Sequence, residues 1–281
     1  WHSDISRLPV HRRNAAWLAS TGAATRRLHP DFGTSDNPAA PYGIPAITIA
    51  GTQAKVPVTF EYADESDRVL YPLGAHTRIE GGRNSGGDMH SITIDRSTCR
   101  LYETFATTQD AAGRWHAGSG AVYDLRSNRL RPAGWTSADA AGLPIFPGLL
   151  RRDEVLAGKV DHAIRFTVSR TDRSYVWPAR HQAGAAADPN LPPMGARFRL
   201  KASYNISRLR PDTQVVLRAM KKHGLILADN GSNWFFQGAA GNTWDSTFIG
   251  ELKGIPASAF EAVDASSLMV NANSGQARTK P

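Results

Sequence analysis

The chain has one cysteine, no long apolar run and none of the common nucleotide- or metal-binding signatures. Its 281 residues include only Cys99, which excludes an internal disulfide framework and a zinc site built on cysteines. No run of about 18 apolar residues occurs, so no membrane-spanning helix is predicted. Walker, dinucleotide-binding, HEXXH and EF-hand patterns are absent, and the segment HAGSGAV lacks the full GxSxG spacing of a serine hydrolase.

Acidic residues are the minority among the charged ones. Thirty-three Lys and Arg against 25 Asp and Glu give a formal net charge of +8, which favours an anionic partner such as an acidic polysaccharide. The basic residues are spread along the chain, and no dense Lys/Arg block with interleaved aromatics occurs. Nucleic-acid binding is therefore not predicted, and the composition leaves the oligomeric state open.

Short alternating segments separated by turns dominate the chain. The 25 Gly and 17 Pro favour a turn-rich, strand-dominated protein over a helical bundle. We expect a mostly β fold, an antiparallel β-sandwich or jelly roll, with one packed helix near 211–223 that begins at Pro211 and stops at Gly224. The predicted organisation is an irregular N-terminal segment over 1–45, a single β-rich domain over 46–271 and a frayed tail over 272–281.

Two hairpins and several further strands are predicted from local patterns. SITID and RLYETF, joined by the polar turn RSTC, form the first hairpin; LILADNGSNWFF, with Asn230-Gly231 at its turn, forms the second. Further strand candidates are VPVTFEY, AVYDLR, HAIRFTVSR, SYVWPAR and ARFRLKASYN.

Strand parity brings polar side chains to one face. In SITID, AVYDLR and HAIRFTVSR, the residues Asp95, Asp124 and Arg165 lie opposite the apolar positions, and we expect them to share one polar sheet face. Glu103 has the parity of its apolar neighbours Leu101 and Phe105 instead. A carboxylate there lies either at a rim or in the core with a raised pKa.

Carboxylates in contrasting surroundings are what glycoside hydrolysis requires. One carboxyl must be protonated and the other charged, and side chains on neighbouring strands reach the required separation. The catalytic candidates are the following acids, with two basic residues to orient them or to stabilise charge: Asp95, Glu103, Asp124, Asp139, His162 and Arg165. Taken singly, each acid could instead form a surface ion pair with an arginine such as Arg96, Arg100 or Arg126.

Aromatic and basic residues in turn-rich segments are candidates for substrate binding. Flat rings stack on sugars, and the proposed contacts are Trp135, Trp177, Arg180, His181 and Trp234, although core packing also accounts for the tryptophans. Arg197, Arg199 and Lys201 alternate along ARFRLKA and form either a solvated sheet face or a track for an anionic polymer.

The leading prediction is a secreted carbohydrate-active enzyme, a glycoside hydrolase that cleaves a polysaccharide with a carboxylate pair. Two further functions remain open beside it. A lyase acting on an acidic polysaccharide would use a His or Tyr base with cationic neighbours, drawn from Tyr102, His162, Arg165, Arg180 and His181. A non-catalytic glycan- or envelope-binding protein is the other alternative. No cofactor and no metal ligand is predicted, although the loop acids Asp64, Glu65 and Asp67 could hold a structural calcium ion.

Several longer phrases carry a resemblance. AGSGAVYDLRSN, GWTSADAAGLPIFPGL, HAIRFTV, YVWPARH, PPMGARFRLKASYNIS and LILADNGS together resemble a family of secreted, β-rich bacterial proteins, few of which are characterised. The resemblance covers most of the chain from about His29 onward. It implies a secreted location and a β-rich fold, and it assigns no catalytic residue.

Overall fold

The described residues form three mixed β-sheets and four α-helices. The computed structural model describes residues 1–37, 40–83 and 85–278, with 26% of the chain in strands and 16% in helices. The helices are α1 (Asn14–Ser20), α2 (Arg152–Leu156), α3 (Pro211–Lys222) and α4 (Ser246–Lys253). The strands are β1 (His29–Asp31), β2 (Ala46–Ile49), β3 (Val58–Phe60), β4 (Ser91–Asp95), β5 (Arg100–Phe105), β6 (Thr108–Gln109), β7 (Trp115–Ala117), β8 (Ser119–Asp124), β9 (Ile164–Val168), β10 (Arg197–Leu200), β11 (Leu225–Asn230), β12 (Phe235–Gln237) and β13 (Phe260–Val263).

The largest sheet has six strands in the order β1-β12-β9-β11-β10-β13. Strand β9 is buried at all five positions and β11 at its first four, because both are central and covered on both faces. One face carries Phe166, Phe198 and Leu227 into the main hydrophobic core, where α3 and α4 pack. The other face carries Arg165 and Arg197, with Ile226 of β11 between them in register. This second face is polar although it is buried.

The second sheet has four strands in the order β2-β4-β5-β8, and the third has three in the order β3-β7-β6. The predicted hairpin of SITID and RLYETF is confirmed: β4 and β5 are antiparallel, and Cys99 in their turn has φ +53°. Ile92 and Leu101 belong to a separate apolar cluster that also includes Ile145 and Leu149. Residues 136–149 connect this cluster to the polar face of the large sheet.

Helix α3 lies where the sequence predicted a helix. It spans Pro211–Lys222, with Pro211 and Asp212 in its first turn and Lys221 and Lys222 in its last. Gly224 follows with φ +73°, the left-handed conformation that ends a helix at little cost. Three shorter helices accompany it, so α3 is not the single helix that the sequence indicated.

The sheets are mixed rather than antiparallel. Four strand pairs are parallel, namely β1 with β12, β9 with β11, β2 with β4 and β3 with β7. The hairpin expected around Asn230-Gly231 is wrong, because β9 lies between β11 and β12 and pairs with both. The apolar segment Leu225–Ala228 has to be covered on both edges and both faces, which a two-stranded hairpin does not provide. SYVWPAR forms no strand; Tyr175 makes one isolated bridge with Met194.

The first 45 residues are part of this architecture. Strand β1 extends the six-stranded sheet, and Trp17, Leu28 and Phe32 are buried in the main core. At the other end, Ser274 forms a bridge with Arg129. The predicted frayed tail therefore has hydrogen-bonded residues in it, and positions 279–281 of that tail lie outside the described residues.

Candidate functional site

A cavity of about 340 Å³ opens between the large sheet and the loop over residues 136–142. We call it the acidic cavity, because carboxylates dominate its ionisable side chains. Its aromatic walls are Tyr62 and Phe105, and its polar lining is Glu65, Asp88, Ser119, Thr136, Ser137, Asp139, His181 and Asp229.

A β-bulge places Asp229 in this cavity. In β11, Leu227 pairs with Phe166 of β9, but Asp229 pairs with Thr167, the very next residue, so one extra residue, Ala228, is accommodated between them. The extra residue reverses the alternation, and Asp229 lies on the face of Arg165 rather than on the core face of Leu227. The carbonyl of Ala228 accepts the N–H of Ala141, which ties the 136–142 loop to the bulge.

Arg165 lies between two carboxylates. Its Nε is 3.2 Å from Oδ2 of Asp139, and its Nη2 is 3.7 Å from Oδ2 of Asp229. The Arg165 and Asp139 side chains are 2% and 0% exposed, whereas the Asp229 side chain is 24% exposed. A molecule in the cavity therefore reaches Asp229 and leaves Asp139 and Arg165 behind it.

The carboxyls of Asp229 and Asp139 keep their protons to higher pH than ordinary aspartates do. Burial, the Asp139 charge and, in opposition, Arg165 together raise the pKa of Asp229 to about 7. Burial also raises the pKa of Asp139, against the charge and hydrogen bond of Arg165. One guanidinium does not neutralise two carboxylates in a low-dielectric site, so the pair retains a proton near neutral pH.

Glu65 and His181 form a second acid-base group in the same cavity. Oε2 of Glu65 accepts the backbone N–H of Thr136 at 2.9 Å and is 3.8 Å from Nε2 of His181. Nδ1 of His181 donates to the carbonyl of Ala140 at 2.9 Å. The N–H of the same Ala140 faces Oδ2 of Asp229 at 3.5 Å. The Ala140 backbone thus connects the two groups.

A second cavity of about 220 Å³ adjoins the first, and Asp88 and Asp229 line both. In it, Nδ1 of His90 is 2.6 Å from Oε2 of Glu80. Burial alone would lower the pKa of His90, but the charge and hydrogen bond of Glu80 outweigh it and raise the pKa to about 9. His90 is therefore a cation at neutral pH that is paired with Glu80. The nearby Arg165 charge lowers its pKa but does not outweigh Glu80.

Glu103 is buried with a raised pKa, as one of its two predicted environments required. Burial raises the pKa to about 7, opposed by the backbone N–H groups of Ile145 and Phe146, which the carboxylate accepts at 2.8–3.0 Å. The Asp139 charge raises it further. Glu103 does not line the acidic cavity, and its contacts hold the residues after the 136–142 loop against β5.

The prediction that Asp95, Asp124 and Arg165 share one polar face is wrong for Arg165. Asp95 and Asp124 both lie in register with Arg100 on one face of the four-stranded sheet, whereas Arg165 belongs to the six-stranded sheet. The buried Asp95 carboxylate accepts Ser97 and Thr98 N–H groups in the turn. Asp124 pairs with Arg126 at 3.1 Å on the surface. Neither residue lines the acidic cavity.

The remaining predicted residues are dispersed. His162 is buried and lies 3.1 Å from Glu154, away from the cavity. Trp234 is fully buried in the main core, Trp135 contacts Arg131, and Trp177 donates to Ser274. Arg180 donates to the carbonyls of Arg131 and Ala272. Of the five residues predicted to bind substrate, His181 is the one in the acidic cavity.

The sequence analysis did not identify Asp229 as a site residue, because Asn230-Gly231, which follows it, predicted a hairpin turn at this point. The available signal was the apolar run Leu225–Ala228 ending in an acid, which is typical of a buried parallel strand with a site at its carboxyl end. For Glu65 the sequence indicates only a candidate calcium ligand. Its neighbour Asp67 pairs with Arg131, and Asp64 pairs with Arg68.

Over residues 1–37, 40–83 and 85–278, no group of three or more His, Cys, Asp and Glu is arranged to hold a metal ion. Within the same ranges, no helix has the length and apolar character needed to cross a bilayer. Comparison with protein-family models, with curated proteins and with solved structures finds no match to this chain.

Proposed function

We propose that the chain is a glycoside hydrolase that cleaves a polysaccharide in the acidic cavity. The observation that carries the proposal is a partly exposed carboxyl, Asp229, whose pKa of about 7 keeps it partly protonated at neutral pH. It shares the cavity with Glu65, a second carboxylate that is 37% exposed and accepts a backbone N–H. Two carboxyls in unlike surroundings are the requirement of glycosidic hydrolysis.

Asp229 acts in this proposal as the general acid. It protonates the oxygen of the departing sugar, and a donor whose pKa lies near the working pH does this most effectively. Asp139 and Arg165 are positioning residues, because both are buried behind Asp229. Asp139 raises the pKa of Asp229, and Arg165 limits that rise and fixes the orientation of both carboxylates.

Glu65 supplies the second carboxylate. The N–H of Thr136 fixes one of its oxygens, and His181 stands beside it with its ring orientation set by the Ala140 carbonyl. Glu65 either attacks the anomeric carbon or takes a proton from the attacking water, depending on its separation from Asp229 across the bound sugar.

The lining of the cavity suits a sugar ring. Tyr62 and Phe105 offer flat apolar surfaces, and Tyr62 is exposed to solvent. The Thr136 hydroxyl can donate to or accept from sugar hydroxyls, and ionised carboxylates accept from them. We propose that the protein acts on a polymer outside the cell, which agrees with the secreted location that the family resemblance implies.

The acidic lining favours a neutral or amino sugar over a uronate. A lyase needs cationic groups beside the substrate carboxylate, but the basic Arg165 is buried and already faces two aspartates. Three acids with at least partly exposed side chains, Glu65, Asp88 and Asp229, line the cavity against one histidine. The net charge of +8 therefore does not describe this site.

The test is a panel of neutral, amino and acidic polysaccharides, with reducing ends and ultraviolet absorbance measured in parallel. We expect new reducing ends without the absorbance of an unsaturated uronate. Asp229→Asn and Glu65→Gln should each lower kcat by about 10²–10⁴-fold, the usual contribution of an acid-base group. Asp124→Asn is the matched control, since it removes an exposed carboxylate outside the cavity.

Three results would contradict the proposal. Reducing ends accompanied by ultraviolet absorbance would identify a lyase. Glycan binding without turnover in the wild type would identify a binding protein. Equal activity of Asp229→Asn and Asp124→Asn would show that the reaction takes place elsewhere.

A further inference from the structure

Arg197 is a buried arginine whose charge is not balanced within the described chain. It begins β10 and is 2% exposed. Among residues 1–37, 40–83 and 85–278, its Nε and Nη1 atoms have no hydrogen-bond partner and no carboxylate lies within ion-pair distance. A buried guanidinium costs several kcal/mol in lost hydration unless an anion and hydrogen bonds replace the water.

The neighbouring arginines, Arg165 and Arg199, are paired with carboxylates. Arg165 lies in the same register row, one strand beyond Ile226, and it faces two carboxylates. Arg199, two residues further along β10, donates from Nε to Glu261 at 2.8 Å. The sequence had grouped Arg197 with Arg199 on a solvated face or polymer track, but burial separates it from that group. Burial lowers the pKa of Arg197 to about 10, so the group is still charged at neutral pH.

A cavity of about 540 Å³ lies against this arginine. Val263 of β13 is directly opposite Arg197 in the sheet, so both side chains project from the same face, and both residues line the cavity. Arg12 also lines it and adds positive charge, whereas His11, whose pKa is lowered by burial, adds a polar ring. Trp17, Trp177 and Met269 contribute apolar surface.

The acid in this cavity is already engaged. Asp264 accepts the backbone N–H of Ser266 at 2.9 Å. Hydrogen bonds to Ser266, together with the charges of His11 and Arg12, hold the pKa of Asp264 below its usual range. Asp264 therefore balances charge at the rim and leaves Arg197 without a counterion.

We propose that this cavity binds a small organic anion, whose carboxylate or phosphate group pairs with the Arg197 guanidinium. Planar guanidinium groups bind both oxyanions through parallel hydrogen bonds, and the tryptophans and Met269 would contact the apolar part of the ligand. The site is distinct from the acidic cavity: Arg197 and Arg165 are two strand spacings apart, about 10 Å. The proposal does not depend on the hydrolase activity.

The experiment measures thermal unfolding and calorimetric binding of the whole chain with benzoate, phenyl phosphate and inorganic phosphate at constant ionic strength. Benzoate and phenyl phosphate separate the carboxylate from the phosphate, and inorganic phosphate tests the need for an apolar body. We expect saturable binding of at least one aromatic probe and a rise in Tm with its concentration. Arg197→Met should weaken that binding by more than about tenfold, the loss expected for a hydrogen bond to a charged group.

The same variant distinguishes a ligand-binding arginine from a structural one. Without added anion, Arg197→Met should have a Tm equal to or above that of the wild type, because it removes an unpaired buried charge. Arg199→Met is the matched control; it should lower Tm by breaking the pair with Glu261 and leave anion binding unchanged.

A second variant keeps the test decisive if Arg197→Met does not fold. Met269 is 38% exposed at the cavity, and Met269→Glu places a repelling carboxylate there without disturbing the core. It should weaken binding of the same probe. Absence of saturable binding in the wild type, or unchanged binding in both variants, would overturn the proposal.

Discussion

At the scale of the residue, Asp229 combines a raised pKa with a partly exposed side chain, whereas Asp139 and Glu103, whose pKa values are also raised, are fully buried. Burial raises the pKa of Asp229 most, and two neighbours that lie deeper in the protein adjust it: the Asp139 charge raises it and Arg165 lowers it. The acid that contacts the cavity is therefore controlled by groups that substrate does not touch. Substitution of Asp139 can therefore change the pKa of Asp229 without removing the Asp229 carboxyl.

A first prediction concerns the pH profile of Asp139→Asn. Burial and the Asp139 charge raise the pKa of Asp229, so removing that charge lowers it, and Arg165 then acts on Asp229 alone. A general acid is active while protonated, so the alkaline limb of kcat against pH should move to lower pH by about one unit, within the range that one nearby charge produces. The measurement is kcat across pH 4–9 on the best substrate of the panel.

Asp95→Asn is the control for that profile. Asp95 is as buried as Asp139 but is held by the Ser97 and Thr98 turn, outside the cavity. It should leave the limb unmoved. A limb that stays in place in Asp139→Asn, or moves to higher pH, would contradict the assignment of Asp229 as the acid.

At the scale of the element, the site depends on how strands pair and how loops join them. Properties local to one strand could be predicted from the sequence, and the pairing of strands could not. Parity within single strands gave the strands of the β4–β5 hairpin and the apolar face on which Glu103 lies, because both are local properties; it left open whether Glu103 lay at a rim or in the core. Parity failed for Asp229, since the bulge at Ala228 reverses the alternation and a bulge has no strict sequence signature. Arg165 and Asp124 were assigned to one face because a pattern gives the face of a strand but not the sheet it joins.

The hydrogen bonds that Glu103 of β5 accepts from the backbone of Ile145 and Phe146 give a second prediction. Glu103 has a folded-state pKa of about 7, above its ordinary value of 4.5. The unfolded chain therefore releases this proton first, and the free energy of unfolding falls as pH rises from about 4.5 to 7. For a shift of this size the loss is on the order of 3 kcal/mol.

Glu103→Gln should remove that dependence. We expect the difference in unfolding free energy between wild type and variant to change, in favour of the variant, between pH 5 and pH 8 in urea titrations. Asp124→Asn serves as the control, because its carboxylate pKa is lowered and does not titrate in this window. A constant difference between the two pH values for Glu103→Gln would show that the carboxyl is ionised throughout.

At the scale of the whole molecule, the first 45 residues decide whether the chain unfolds as one unit. The sequence predicted an irregular segment there, because its loops are rich in Pro, Gly and polar residues. The apolar residues between them are what join the core: Phe32 is fully buried, with ring centroids 5.5 Å from Phe236 of β12 and 4.5 Å from Trp244. Tertiary packing of this kind leaves no local pattern for the sequence to display.

Phe32→Ala therefore tests the integration of this segment. Removing a fully buried phenylalanine should lower the free energy of unfolding by about 3–5 kcal/mol, through lost burial and the cavity left beside Phe236. Urea unfolding followed by both tryptophan fluorescence and far-ultraviolet circular dichroism should show one transition, moved to lower urea. Tyr62→Ala is the control outside the core, since its ring is 48% exposed, and it should cost little stability. A loss below about 1 kcal/mol in Phe32→Ala, or two separate transitions in the wild type, would show that the segment is an appendage and that the large sheet is stable without β1.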